Sequence, residues 1–153
     1  MPLGALLRRE GDEIRRPDGG LAALQPEEVG PAGEAAGASP VGVSHQLLGL
    51  PYRWGGTDST VGMDCSGLVF RVMGLLGVAV PRDADDQFER APFRSREDWE
   101  VAGRDDLIFF GEDSITHVGF YLGDGTYLSE HGSSGTVVRG VEEDPYWGFA
   151  RYA

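Results

Sequence analysis

Two hydrophobic periodicities divide the second half of the chain into a helical part and a β-rich part. Apolar residues between positions 68 and 76 recur at offsets of three and four, which is the period of an amphipathic helix. From position 106 the period changes to two, first in the apolar run Leu107–Phe110 and then in the alternating segment 117–122. A helix followed by antiparallel strands predicts an α+β fold.

The β-rich part predicts a hairpin that places polar residues together. Gly123-Asp124-Gly125 is a turn between the segment 117–122 and a returning strand at 126–130, and residues 136–140 predict a further strand. A three-residue loop pairs Leu122 with Thr126. Counting outward places His117 opposite His131, with Ser129 diagonal on the same face, and such cross-strand neighbours are close enough to touch.

The first 43 residues have a different composition from the rest. Residues 13–24 predict two short strands around a Pro17-Asp18-Gly19 turn, within a short N-terminal arm at residues 1–30. The proline, glycine and alanine content of residues 31–43 is typical of a linker. We therefore expect the packed domain to occupy residues 44–153. A short helix is predicted over residues 41–50, with His45 on its surface.

The only cysteine, Cys65, lies at the start of the predicted helix, next to Asp64 and Ser66, which are residue types that cap such an end. The positive end of the helix dipole favours a thiolate, and this predicts a lowered thiol pKa. A cysteine nucleophile also needs a base. The alternative interpretation is that Cys65 is a small buried core residue, as most free cysteines are.

Charge and composition limit the classes of partner. The formal net charge is −12 and there is no lysine, so the chain is a poor candidate for binding nucleic acid or anionic membranes. One cysteine excludes an internal disulfide, and no apolar run has the length of a membrane span. The N-terminal residues lack the pattern of a signal peptide. We therefore expect a cytoplasmic protein, or a secreted one if an upstream region is missing.

Several sequence blocks, in order, resemble the NlpC/P60 family of papain-like cysteine peptidases. They are Pro51-Tyr52-Arg53-Trp54-Gly55-Gly56, Asp64-Cys65-Ser66-Gly67-Leu68-Val69, Pro81-Arg82-Asp83 with Gln87, Asp106-Leu107-Ile108-Phe109-Phe110, and Ile115-Thr116-His117-Val118-Gly119-Phe120-Tyr121-Leu122-Gly123. The resemblance covers about residues 44–153. It implies a papain-like fold in which the helix that carries the nucleophile packs on an antiparallel β-sheet. It also implies a metal-independent enzyme without a cofactor. Relatives often carry SH3-like domains upstream, and the arm at residues 1–30 resembles the tail of one.

The resemblance also implies roles for individual residues. Cys65 is the nucleophile, His117 is the base, and Tyr52 lines the cleft and helps to bind the oxyanion. Asp64 and Ser66 stand where family members bind the free amino terminus and the body of a short peptide.

The third catalytic position departs from the family pattern, which most often has a histidine where this chain has Ser129. We favour His131, two positions later on the same face, because a ring nitrogen would fix the tautomer of His117. Ser129, or Glu130 reaching in after a local bulge, are the alternatives.

The resulting hypothesis is a cysteine endopeptidase or amidase that hydrolyses peptidoglycan stem peptides, between γ-D-glutamate and a diamino acid. The acidic charge favours soluble peptide fragments over intact anionic wall as the partner. Three alternatives are a catalytically silent peptide-binding module, an acyltransferase of the same fold, and a zinc site at His117, His131 and Cys65. Zinc would require a further ligand, and no anchor for a lipid substrate is visible.

Overall fold

The computed structural model describes residues 39–58 and 62–152, together with the backbone of three short N-terminal strands. These strands, β1 (Arg8–Glu10), β2 (Glu13–Arg15) and β3 (Leu21–Ala23), pair antiparallel in the order β1-β2-β3. Strands β2 and β3 confirm the two that the turn pattern predicts, and β1 adds a third. The turn between them and most of the predicted linker lie outside the described residues.

The packed domain begins with helix α1 (Pro40–His45), which Ser39 caps through a 3.1 Å hydrogen bond from the Gly42 N–H. Val41 at its start is fully buried, and its N–H donates to Asp105 Oδ1 at 2.8 Å. The helix therefore overlaps the end of the segment predicted as a linker. His45 is exposed, as the sequence predicts.

The remaining elements follow in the predicted order of helix and then sheet. They are β4 (Thr57–Asp58), β5 (Gly62–Met63), α2 (Cys65–Leu75), α3 (Ala84–Glu89), β6 (Phe93–Ser95), a 3-10 turn (Trp99–Val101), β7 (Leu107–Phe110), β8 (His117–Tyr121), β9 (Thr126–His131), β10 (Gly135–Gly140), a second 3-10 turn (Val141–Glu143) and β11 (Tyr146–Arg151).

Six of these strands form one antiparallel sheet in the order β10-β9-β8-β7-β11-β6. Strands β8 and β9 pair Phe120 with Leu128, which is the register that a three-residue loop predicts. Strand β11, which the sequence pattern did not predict, lies between β7 and β6 and pairs Phe149 with Ser95. The predicted α+β class, with an antiparallel sheet, is confirmed.

Helix α2 packs against one face of this sheet, and Cys65 is its first residue. Its residues Leu68, Val69 and Val72 are fully buried in the same cluster as Val118 and Phe120 of β8. The opposite face carries a second, smaller cluster that includes Tyr121 and Tyr127. In the described part of the chain, no helix has the length and apolar character needed to cross a bilayer.

Candidate active site

Cys65 is the first residue of α2, and Asp64 is its N-cap, as predicted. Asp64 Oδ1 accepts a hydrogen bond from the Gly67 N–H at 2.7 Å, which satisfies one of the free donors of the first helical turn. Cys65 is partly exposed at one wall of an open cavity of about 560 Å³. The cavity lining contains all six residues that the sequence predicts for the site, namely Tyr52, Asp64, Cys65, Ser66, His117 and His131.

His117, the first residue of β8, is held by Ser129 and not by His131. Its Nε2 lies 2.8 Å from Ser129 Oγ. The His131 ring packs against the His117 ring instead, with 4.3 Å between centroids. The hydrogen bond expected from His131 is therefore made by Ser129, one of the two alternatives. With Nε2 bound in this way, His117 Nδ1 is the nitrogen left to serve as a base.

Gly119 is a position of β8 at which a side chain would disturb the contact between Ser129 and His117. It lies opposite Ser129 on β9, between His117 and Tyr121 on the same face of the sheet. A Cβ atom at Gly119 would lie 2.7 Å from the Leu128 carbonyl oxygen and 2.8 Å from Ser129 Cβ. A side chain at position 119 would therefore displace Ser129, so the glycine keeps in place the hydroxyl that contacts His117 Nε2. The glycine was visible in the sequence, but its role was not predicted.

His131 belongs to a hydrogen-bond network with Tyr127, Asp144 and Arg139. The Tyr127 hydroxyl donates to Asp144 Oδ2 and lies 3.2 Å from His131 Nε2. Since the hydroxyl proton is committed to Asp144, its oxygen is the acceptor for an Nε2–H of His131. Arg139 Nη1 lies 3.5 Å from His131 Nδ1. The network thus favours one neutral tautomer of His131 and fixes the ring that packs against His117.

Burial keeps both members of the Cys65–His117 pair neutral. Burial, together with the nearby His131 and Arg139, lowers the pKa of His117 to about 4, against an opposing effect of Asp144. Burial also raises the pKa of the Cys65 thiol, although the N–H groups of Val118 and Ser66 act in the opposite direction. The lowered thiol pKa expected from the helix dipole is therefore wrong, because desolvation exceeds the effect of the helix N-terminus.

Asp64 and Ser66, predicted to contact substrate, are both bound to Arg82. The Arg82 guanidinium donates to Asp64 Oδ2 at 2.9 Å and to Ser66 Oγ at 2.8 Å. Asp64 Oδ2 also accepts from the Gly55 N–H at 3.0 Å. The Asp64 carboxylate is therefore engaged by donors of the protein itself. The sequence placed Arg82 in a family motif but did not predict this contact.

Gln87 and Tyr52 complete the surroundings of the helix start. Gln87 is fully buried, and its Nε2 donates to the carbonyl oxygens of Ser66 at 3.1 Å and Pro81 at 2.9 Å. It thereby ties α3 to the first turn of α2. Burial, followed by the nearby Cys65 and Asp64, raises the pKa of the Tyr52 hydroxyl, which is consequently a hydrogen-bond donor at neutral pH.

Glu130 is placed on the other face of β9 from Ser129 and His131. It is fully buried, its Oε1 accepts a hydrogen bond from the Thr136 hydroxyl, and it lines the same cavity as Cys65. Strand β9 pairs with β10 in unbroken register through this position, so the bulge that would turn Glu130 toward His117 is not formed. Among the residues described, no three His, Cys, Asp or Glu side chains are grouped so that they could hold a metal ion.

Comparison with known proteins shows which family has the same sequence motifs. The NlpC/P60 family model matches residues 49–151. The peptidoglycan endopeptidase RipB of Mycobacterium tuberculosis is 40% identical over 103 residues, which is 60% of this chain and 42% of RipB. The gamma-D-glutamyl-L-lysine dipeptidyl-peptidase of Bacillus subtilis is 41% identical over 86 residues, or 54% of this chain and 28% of that protein. The chain therefore spans less than half the length of these curated relatives.

A solved structure extends the similarity to the fold. The crystal structure of an NlpC/P60 family protein from Bacillus cereus superposes with a TM-score of 0.75 at 27% identity, covering 95% of this chain and 52% of that one. The family model, the identities and the superposition agree with the order of motifs and with a cavity that both Cys65 and His117 line. The chain belongs to the NlpC/P60 family.

Proposed function

We propose that this chain is a cysteine-type peptidoglycan hydrolase that cleaves an amide bond in stem peptides. The observation that carries the proposal is the cavity of about 560 Å³ that holds Cys65 at a helix start and His117 fixed by Ser129. A nucleophile and a base oriented by a third group are the parts that amide hydrolysis requires. The names of the peptidoglycan endopeptidase and dipeptidyl-peptidase relatives support the choice of substrate class.

The chemistry begins from a neutral thiol and a neutral imidazole. As the Cys65 sulfur attacks the amide carbonyl carbon, its proton moves to His117 Nδ1 while the Nε2–H remains hydrogen-bonded to Ser129. The imidazolium then gives its proton to the leaving amine, and a thioester remains on Cys65. Water, deprotonated by His117, hydrolyses the thioester and releases the carboxylic acid.

The oxyanion of the tetrahedral intermediate would lie at the start of α2. The N–H of Cys65 belongs to the first helical turn, where backbone donors have no partner within the helix. Tyr52, a hydrogen-bond donor at neutral pH, is the second candidate donor in the cavity wall. Donors fixed in advance around a developing negative charge are worth on the order of 100-fold in rate each.

The scissile bond that we propose joins γ-D-glutamate to a diamino acid. The proposal rests on the specificity named for the dipeptidyl-peptidase relative and on the matching positions of Tyr52 and Ser66. The role of Asp64 as a receptor for an amino terminus does not follow, because Arg82, Gly55 and Gly67 already occupy its carboxylate.

Digestion of synthetic stem peptides, followed by mass spectrometry, tests both the reaction and the bond. Wild-type protein is expected to release the diamino acid end of alanyl-γ-D-glutamyl-L-lysine, and Cys65→Ala and His117→Ala are expected to leave it intact. Equal hydrolysis by wild type and Cys65→Ala would exclude a cysteine mechanism.

A catalytically silent binding module is the second candidate. The raised pKa of the Cys65 thiol and the hydroxyl at the third position both favour it, because each departs from a strongly activated cysteine site. Calorimetric binding of the same peptide without release of any fragment after prolonged incubation would support the binding module over the hydrolase.

A further inference from the structure

Glu130 has a buried carboxyl oxygen that the protein leaves without a partner. The residue is fully buried, and Thr136 Oγ1 donates to Oε1. Within the described residues, Oε2 lacks any hydrogen-bond partner. An unpartnered carboxyl oxygen in a buried position is costly, so it indicates that something outside the protein supplies the missing donor. The proposed mechanism gives Glu130 no role.

The cavity that Glu130 lines has an acidic character. Its lining contains the carboxyl groups of Asp64, Asp83 and Glu130, and the described lining residues include no arginine. The two imidazoles add no positive charge at neutral pH, because burial lowers the pKa of both His117 and His131. A cavity of this composition favours a cationic group.

The three carboxyl groups are not equally available to such a cation. The ion pair with Arg82, 2.9 Å long, compensates the charge of Asp64. Asp83 is exposed, so water screens its charge. Glu130 is shielded from water and has no ion-pair partner among the described residues, which makes it the carboxyl group whose charge a ligand would feel most strongly.

We propose that Glu130 is a specificity residue that accepts a primary ammonium group of the peptide substrate on its free carboxyl oxygen. The inference rests on the proposed function only for the identity of the ligand as a peptide. Two ammonium groups of a stem peptide have this chemistry, namely its amino terminus and the side-chain amine of its diamino acid.

The protonation of Glu130 gives this contact a measurable signature. Burial raises its pKa to about 7, with Asp64 acting in the same direction and the Thr136 hydrogen bond opposing it. The groups facing it are Tyr52 from the preceding loop and Asp64 from the start of α2. An ammonium group beside the carboxyl would lower its pKa. Binding near neutral pH therefore converts the carboxylic acid to a carboxylate and releases its proton to the buffer.

The sign of the pH effect follows from this ionisation. Below the pKa of about 7, binding must be accompanied by loss of the Glu130 proton, so affinity for the ammonium rises as pH increases toward 7 and then levels off. A glutamine keeps the acceptor for Thr136 but cannot ionise. The pH dependence should therefore disappear in Glu130→Gln.

Calorimetry with Cys65→Ala tests the proposal without requiring hydrolysis. The ligands are alanyl-γ-D-glutamyl-L-lysine, its N-terminally acetylated form and its form acetylated on the lysine side chain. Each is titrated between about pH 6 and 7.5 in two buffers of different ionisation enthalpy, which reports proton release. The same titrations use Cys65→Ala carrying Glu130→Gln, or carrying Glu100→Gln as a control. Glu100 is exposed and does not line the cavity.

Acetylation of one of the two amines is expected to weaken binding by about tenfold or more and to abolish proton release, and which acetylation does so identifies the amine. Glu130→Gln should reproduce both effects, and Glu100→Gln should produce neither. Equal binding of all three peptides to the parent protein, or unchanged discrimination in Glu130→Gln, would overturn the proposal. Hydrolysis by the wild type is measured separately. If the wild type does not hydrolyse the peptide but Cys65→Ala still distinguishes the acetylated peptides from the parent peptide, the proposed reaction is rejected and the role of Glu130 is not.

Discussion

At the scale of single residues, the orientation of the His117 imidazole, the proposed base, depends on the short side chain of Ser129. Ser129 Oγ lies 2.8 Å from His117 Nε2, whereas the larger His131 contacts the same ring through its face. A hydroxyl can accept the Nε2–H and so select the tautomer with a free Nδ1. It provides direction without adding a charge near a buried base. The division of labour between Ser129 and His131 can be measured.

Replacing Ser129 with alanine is expected to lower kcat of the proposed hydrolase by about 10- to 100-fold, because the ring is no longer held in the reactive position. His131→Ala should have a smaller effect on kcat, because it removes a packing contact and keeps the hydrogen bond. The measurement is steady-state hydrolysis of a γ-D-glutamyl peptide, with thermal unfolding as a check on folding. A larger loss in His131→Ala than in Ser129→Ala would restore His131 to the orienting role.

Because Cys65 and His117 are both neutral, Cys65 should lack the enhanced reactivity of an activated cysteine. Burial raises the pKa of Cys65, so alkylation by iodoacetamide at neutral pH should be no faster than that of a free thiol. Its rate should increase only at alkaline pH. Mass spectrometry of the alkylated protein over a pH series measures this, with denatured protein as the reference thiol. Rapid labelling at neutral pH would show that the sulfur is a thiolate in the folded protein.

The lowered pKa of His117 also predicts how activity declines at low pH. The base is active when neutral, and the pKa of His117 is lowered to about 4. As pH falls through that value, His117 takes up a proton and kcat/KM should decline, whereas between about pH 5 and 7 this group should cause no loss. A limb near the ordinary histidine value of about 6.5 would mean that the ring is far better solvated than its buried position implies.

At the scale of secondary-structure elements, the β8–β9 pair sets the geometry of the base. A Cβ atom at Gly119 would lie 2.7 Å from the backbone oxygen of Leu128 and 2.8 Å from Cβ of Ser129, which contacts His117. The backbone of a central sheet strand cannot move aside easily, because β7 and β9 hold β8 on both sides. The glycine is therefore required by both the sheet and the site.

Gly119→Ala is accordingly expected to destabilise the fold by about 1–3 kcal/mol. The variant protein that remains folded should also hydrolyse the peptide more slowly than the wild type. Gly74→Ala is the matched control, because a Cβ atom at this exposed position of α2 would meet no atom within 4 Å. The control should be neutral or slightly stabilising, by up to about 1 kcal/mol, since alanine favours the helix. Chemical denaturation and peptide hydrolysis measure the two effects. Equal behaviour of the two variants would contradict this account of β8.

The elements that were predicted correctly are those whose signals lie within a short stretch of sequence. The apolar spacing gave the course of α2, and the Gly123–Gly125 turn gave the register of β8 with β9. Strands β6 and β11 were not predicted, since Ser95 and Phe149 pair across more than fifty positions of the sequence. Pairings of such long range depend on the assembled core rather than on neighbouring residues.

The site was predicted less completely than the fold, because its geometry also depends on residues that are distant in the sequence. The sequence predicted that Cys65 and His117 belong to one site, because their motifs are contiguous, and both line the same cavity. The choice between Ser129 and His131 depended on the positions of their side chains in the paired strands, where Ser129 Oγ lies 2.8 Å from His117 Nε2 and the His131 ring packs against the His117 ring. The thiol pKa depended on burial against β8, where the N–H of Val118 meets the sulfur. Neither effect follows from the position of a residue in a helix or a strand alone.

At the scale of the whole molecule, charge should separate substrates that share the same scissile bond. The formal net charge is −12, and the cavity lining is itself acidic. Anionic wall polymers are repelled by such a surface, whereas short peptides carrying an ammonium group are not. The proposed hydrolase should therefore cut soluble stem peptides faster than the same bonds in intact sacculi.

Salt distinguishes this electrostatic effect from simple steric access. At about 0.15 M ionic strength the Debye length is already near 8 Å, and at about 1 M it is near 3 Å. The ratio of soluble-peptide to sacculus hydrolysis should accordingly fall as salt is raised, because salt screens both the repulsion from the polymer and the attraction of the ammonium group to the acidic protein. Sacculi stripped of anionic polymers serve as the control and should show a smaller dependence on salt. A ratio that is independent of salt for both preparations would assign the preference to access, and charge would then have no part in selecting the substrate.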